Sequence, residues 1–272
     1  MSTKTINNKP YTFNAYLQKI VKHGFLIRVL AKRELKIKYS RTFIGIGWLF
    51  LQPLVVVAVY TIFFKNLIRL NTEDIPYPQF VLTGLVLWYL FTGIIGKCTY
   101  GLVESSELIN KVSFPRIIIL LSKVMPVIIE CFVLLLLALL VVLFTHHSIG
   151  FNAVTVLFYF LQITILSFAI GMLCSIIVLK YRDFAHAIPF IINFGIWLTP
   201  VFYSAVIVPD EYKNIYRFGN PLALAMEGMR GALFQNQSIS LASYVTFGTS
   251  CVLFCISFFI FVKFEKLIVE NL

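Results

Sequence analysis

Charge is what this sequence has least of. Only 13% of its 272 residues are Asp, Glu, Lys or Arg, and just twelve are acidic, where an ordinary soluble domain carries about 25% charged residues. With 59% hydrophobic residues and a mean hydropathy of +0.88, no segment is polar and long enough to fold as a separate aqueous domain. A single membrane domain over residues 1–272 is expected. The first 24 residues lack the apolar core and small-residue cleavage site of a signal peptide, so nothing should be removed. Cys98, Cys131, Cys174, Cys251 and Cys255 form no CxxC pair and have no histidines at metal spacing, and buried free thiols are the expectation. His146 and His147 fall on a short turn between apolar runs, and no metal site is expected. No GxxxxGK[ST] loop exists: Gly96-Lys97-Cys98 lacks both the leading glycine and the hydroxyl residue. The chain is therefore not expected to power itself by ATP alone.

Long apolar runs are what the sequence has instead. A helix crossing roughly 30 Å of hydrocarbon needs about 20 mostly apolar residues. Six runs qualify, near 43–64, 79–99, 117–145, 152–179, 185–204 and 243–262. The expected fold is an all-α integral membrane protein with six transmembrane helices, a cytoplasmic arm at 1–42 and a tail at 263–272. Orientation follows from Lys and Arg. Ten lie in the arm, then two, four, none, two and three in successive loops, the four being Lys97, Lys111, Arg116 and Lys123 with the loop counted out to the edges of its spans, and two in the tail. Eighteen of the 23 thus share the N-terminal side, and the positive-inside rule puts both termini in the cytoplasm. The net charge of +11 needs no nucleic acid.

Three segments stand out within that frame. Phe25 to Arg41 reads FLIRVLAKRELKIKYSR, in which Arg28, Lys32 and Lys36 form a basic stripe at helical spacing while Leu26, Leu30 and Ile37 share another arc, interrupted by Arg33. This predicts an amphipathic interfacial helix, whose basic residues are worth roughly 1 kcal/mol each against anionic headgroups. The plainer reading is orientation charge alone. Glu130 is the one carboxylate well inside a run, where an acid costs a few kcal/mol. It reads either as a satisfied interhelical hydrogen bond or as a polar contact in a transport path, with Trp48, Tyr60, Trp88 and Tyr203 as aromatic candidates for the same path. Without a second membrane carboxylate it does not suggest a proton relay. Finally, the loop at about 204–242 contains Leu222 to Phe234, too short to span, which suits a re-entrant or gate helix. Glu227 and Arg230, at i, i+3, can pair there.

The stretches RELKIKYSRTFIGIGWLFLQPL, NKVSFPRIIILLS, KYRDFAH, TPVFYS and NPLALAMEGMR, in that order, resemble the polysaccharide-export branch of ABC-2 permeases, which carry lipid-linked O-antigen, capsule or teichoic acid. The resemblance implies a homodimeric pore in a bacterial inner membrane, paired with two copies of an ATPase subunit that bind the ATP and Mg. No cofactor is implied in this chain and no catalytic residue. The cargo would be a polyprenyl-pyrophosphate-linked polysaccharide. The arm, the loop with Glu104, Glu107, Lys111 and Arg116, and the Tyr181-Arg182-Asp183 turn would meet the ATPase and the headgroup region. A rim of Arg28, Lys32, Arg33, Lys36, Lys38 and Arg41 would suit a pyrophosphate through charge-assisted hydrogen bonds. Tyr181 stands where the family often has Phe, and Thr199 where Ser is common before Pro200. Two rivals stay open: an ABC-2 exporter of drugs or simple lipids, and a membrane enzyme acting on polyprenyl-linked sugars. The second needs acid and base groups on an aqueous face. Its candidates, Glu73-Asp74 and Asp210-Glu211, sit beside prolines and read as turn residues.

Overall fold

The computed structural model of the chain describes residues 13–40, 42–68, 75–145 and 153–270. Arg41, Glu73-Asp74 and the His146-His147 turn lie outside the described residues. The described residues contain helices and no strand, as hydrocarbon requires of a backbone that must satisfy its own hydrogen bonds. Two arm helices, α1 (Phe13–Lys22) and α2 (Gly24–Tyr39), lead to a 3-10 turn at Gly45–Gly47 and then α3 (Trp48–Tyr60), which continues as a π-helical stretch, Thr61–Ile68. Gly45 takes φ +60, a conformation open to glycine without steric cost, and so turns the arm into α3. There follow α4 (Tyr77–Glu104), α5 (Ser106–Lys111), α6 (Ile117–Thr145), α7 (Ala153–Lys180), α8 (Phe184–Leu198), α9 (Asp210–Gly219), α10 (Pro221–Phe234) and α11 (Leu241–Glu270).

Among the described residues five helical stretches are long and apolar enough to cross a membrane: Gly45–Phe64, Tyr77–Glu104, Ile117–Phe144, Thr155–Lys180 and Leu241–Glu265. The run expected at 185–204 is shorter, because α8 stops after 15 residues at Leu198. The cause is local. A residue before proline is pushed out of the α region, and Thr199, ahead of Pro200, is extended at φ −112, ψ 138. The chain beyond it is packed inside the protein, with Thr199, Val201, Phe202 and Ser204 all buried.

The bundle is built around α4, whose Val81, Val86, Leu87, Leu90 and Ile94 are fully buried between α6 and α7. α8 packs along the same helix. Tyr100 near the end of α4 donates to the Ala185 carbonyl, and Tyr77 at its start donates to the Phe202 carbonyl at 3.0 Å. α7 and α11 are joined by Gln162 donating to Thr246 at 3.0 Å and by the Tyr159–Ser243 hydroxyl pair at 3.0 Å. By contrast α3 is sparsely covered: 11% of its span is buried, against 72% for α4. The end carrying α1, α2 and the start of α6 is the arm end; that carrying α9 and α10 is the distal end.

Candidate functional site

At the arm end α2 is docked on α6, and the docking is ionic as well as apolar. The inward face of α2 is Leu26, Ile27, Leu30 and Ala31, which share one side of a 3.6-residue helix. Ile37, expected in the apolar arc, is instead exposed, together with Arg28, Lys32, Arg33 and Lys36. The four basic residues thus make the outer face, while Lys38 turns inward. Its Nζ stands 2.6 Å from Glu130 Oε2, and Tyr39 Oη donates to Glu130 Oε1 at 2.7 Å. Burial, with the Glu130 carboxylate beside it, pushes the Tyr39 phenol well above its usual range, so it remains a donor. Glu130 is thereby satisfied between helices by partners 92 and 91 residues away.

One helical turn pair earlier on the same face of α6, Lys123 is almost wholly buried. It reaches Glu104 Oε2 at the end of α4 at 2.6 Å and Glu34 Oε1 of α2 at 3.3 Å. At the entry to α6 the Arg116 backbone N–H donates to Glu265 Oε1 of α11 at 2.6 Å. Burial lowers the Arg116 guanidinium from its usual range. Tyr16 of α1, 1% exposed, packs edge-on to Phe258 at 5.9 Å; burial and the Glu265 charge raise its phenol. Arm, α4, α6 and α11 therefore meet in one layer. Glu107 and Lys111 on α5 pair at 3.6 Å in solvent, and Tyr181, Arg182 and Asp183 are exposed on the turn into α8.

Beneath the Lys38–Glu130 pair lies a cavity of about 420 Å³ walled by the end of α2, α3, α4 and α6, with Trp48, Gln52, Tyr89, Lys97, Tyr100 and Leu134 on its lining. Of the aromatic path candidates only Trp48 shares it with Glu130. Trp88 is buried near Gly195 of α8. Tyr60 stacks on Phe202 at 3.7 Å and 4°, and Tyr203 donates to the Trp197 carbonyl at 3.0 Å, both toward the distal end. One continuous aromatic path is not assembled within the described residues of a single chain.

The distal end is organised by Arg230, 4% exposed on α10. Its Nη1 donates to the Pro200 carbonyl at 2.7 Å, and its Nη2 to those of Phe80 and Val201, each at 3.0 Å. The guanidinium also lies 3.4 Å from the Phe80 ring centroid. Asn220 caps α10 by accepting from the Ala223 N–H at 3.1 Å, and donates to the Leu198 carbonyl at 3.1 Å. Glu227, one turn before Arg230, lines a second cavity of about 390 Å³ with Tyr159, Ser204, Tyr216 and Ser243.

Sequence reasoning missed Lys123, Glu34, Tyr16 and Glu265. The available signal was the seven-residue spacing of Lys123 and Glu130, which sets both on one face of α6; their partners, far away in sequence, carried no such mark.

Against known proteins, a family model described as ABC-2 type transporter matches residues 25–234. The chain is 27% identical over 213 residues to the O-antigen export system permease protein RfbA of Klebsiella pneumoniae, covering 78% of this chain and 80% of that protein. It is 28% identical over 222 residues to the protein of the same name from Myxococcus xanthus, covering 79% and 82%. It is 21% identical over 232 residues to the polysialic acid transport protein KpsM of Escherichia coli, covering 84% and 89%.

Proposed function

The chain belongs to the ABC-2 type transporter family, and on that premise we propose that it is the permease of an exporter carrying lipid-linked polysaccharide, O-antigen foremost, across the cytoplasmic membrane. A separate ATPase subunit supplies the energy. Two copies of this chain form the pore and two ATPase chains bind ATP and Mg on its cytoplasmic side. The names of the relatives support the cargo, since they are O-antigen export permeases and a polysialic acid transport protein.

The observation that carries the mechanism is the ionic docking of α2 on α6 and α4 through Glu130 and Lys123. A push on the arm or on α5 is delivered directly to two bundle helices. The outer face, Arg28, Lys32, Arg33 and Lys36, remains open to a pyrophosphate headgroup or the ATPase. The arm end is then cytoplasmic.

That orientation needs an even number of crossings, and α8 supplies the sixth as a broken one. Contacts of α8 and the turn after it run from Tyr100 to Tyr77 of α4, 23 residues or about 35 Å of helix rise, which supports α8 and the 199–202 turn crossing the bilayer together. Irregular backbone is tolerated at that depth where protein buries it. The aromatic face of α8, with Phe190, Phe194 and Trp197 exposed, supports pairing with a second copy across a pore.

The test is co-purification with the ATPase and reconstitution in vesicles. ATP hydrolysis should rise with lipid-linked glycan and not with free glycan. Reversing Arg28, Lys32 and Lys36 to Glu should abolish export with insertion intact. Glycan reaching the cell surface in a strain lacking this chain would sink the proposal.

A further inference from the structure

Lys97 lies toward the arm end of the α4 span, seven residues from its last residue or about 10 Å in, and is exposed. A charge at that depth is costly unless it is paired or faces a cavity. The ion pairs of the arm end engage Lys38, Lys111 and Lys123; among the described residues none reaches Lys97. It opens instead into the 420 Å³ cavity beneath the arm. A Cβ on the neighbouring Gly96 would meet nothing within 4 Å, so the helix face beside Lys97 is open.

The cavity is amphipathic: Lys38, Lys97, Glu104 and Glu130 line it together with Leu49, Pro53, Val127 and Leu134. That mixture matches a lipid with its head near Lys97 and Lys38 and its chain against the apolar side chains. We propose that this cavity seats a phosphate-headed lipid of the adjoining leaflet, with Lys97 holding the phosphate and Lys38 leaving Glu130 to share it. Lys38 can make the exchange, because its side chain is half-exposed at 51% although its ammonium is in contact with the carboxylate. Glu130 is not left bare when it does, since Tyr39 still donates to its other oxygen. A free anion would have no use for the apolar wall, and a neutral lipid would leave Lys97 unpaired. The proposal rests on the membrane-spanning reading of α4 and not on the identity of the exported cargo.

The experiment titrates the purified full-length chain in mild detergent with phosphatidic acid carrying brominated acyl chains, and follows quenching of tryptophan fluorescence. Trp48 lines the cavity, so the quenching should contain a saturable component that is lost in Trp48→Phe, while quenching of the exposed Trp197 remains. Lys97→Gln should weaken binding about tenfold, the scale of one charge-assisted hydrogen bond, while Lys97→Arg retains it. Glu130→Gln, which removes the competing carboxylate and keeps Lys38, should tighten it. A purely structural role for Glu130 would instead weaken it, and that result would overturn the exchange. Unchanged affinity in Lys97→Gln, or equal binding of brominated diacylglycerol, would overturn the site. Inorganic phosphate competing as strongly as the lipid would reduce it to an anion site and overturn the lipid assignment. Thermal unfolding of each variant confirms that the folded chain is being titrated. Binding is read with neither ATPase nor glycan present, so its failure leaves the export proposal standing, and failure of export leaves the lipid site standing.

Discussion

The two ends of the bundle are held by different chemistry. At the arm end the contacts run between charged side chains of separate helices: Lys38 to Glu130, and Lys123 to Glu34 and Glu104. One partner in each is a third to half exposed, at 51%, 30% and 53%. At the distal end Arg230 instead donates to three main-chain carbonyls in the interior. Side-chain pairs near water can be broken, re-paired or screened at a cost of about 1 kcal/mol. Buried main-chain acceptors cannot rotate away and have no water to turn to. The arm end is thus built to be remade and the distal end to stay fixed, which suits a molecule moved from one side.

The strongest way to break the contrast is Arg230→Met. Three buried carbonyls lose their donor together, and truncation of one partner in a buried charged network costs about 3–5 kcal/mol. Thermal unfolding in detergent should show loss of the folded chain or a large drop in midpoint, and Arg230→Lys should not restore it, because a single ammonium cannot fork to carbonyls in this geometry. A midpoint within a degree of the parent would mean that Arg230 does not organise this end. Gly84→Ala attacks the same cluster from α4. Its new Cβ would stand 2.6 Å from Arg230 Nη2 and 3.0 Å from the Val201 carbonyl, and overpacking of this kind costs about 1–3 kcal/mol. Destabilisation should be accompanied by faster hydrogen exchange in α10 with α2 unchanged.

At the arm end Lys123→Met should act the other way round. Both freed carboxylates keep access to water, so the expected cost is about 1 kcal/mol, and it should appear as faster exchange in α2 while α10 is unaffected. Equal acceleration at both ends would contradict the division between them.

Much of this arrangement was legible in the sequence, and the illegible part has a common cause. Hydropathy located α3, α4, α6, α7 and α11 because backbone satisfaction in lipid demands long apolar helices. It did not show that the helix of α8 stops before Thr199, although Pro200 carried the stop signal. The stripe of Arg28, Lys32 and Lys36 was visible because neighbours on one helix are fixed by periodicity. The Lys38–Glu130 pair was not, since 92 residues separate its members and nothing local marks such a distance. Lys123 was counted as orientation charge for the same reason. Arg230 was expected beside Glu227; that its guanidinium would also hold the chain around Pro200 depended on a turn whose position hydropathy had hidden.

The smallest stability effect is expected at Glu107 and Lys111, and it sharpens the comparison most directly. Their nitrogen and oxygen stand 3.6 Å apart on α5 with side chains 89% and 75% exposed. An exposed i, i+4 pair contributes below about 0.5 kcal/mol, so Glu107→Gln with Lys111→Gln should leave thermal unfolding and the exchange of both ends unchanged. If α5 is a surface on which the ATPase subunit pushes, the same double variant should nonetheless reduce glycan-stimulated hydrolysis in the reconstituted complex. Unaltered stimulation would confine coupling to α2, whereas a fall in stability would mean that α5 supports the bundle and is not a free contact surface.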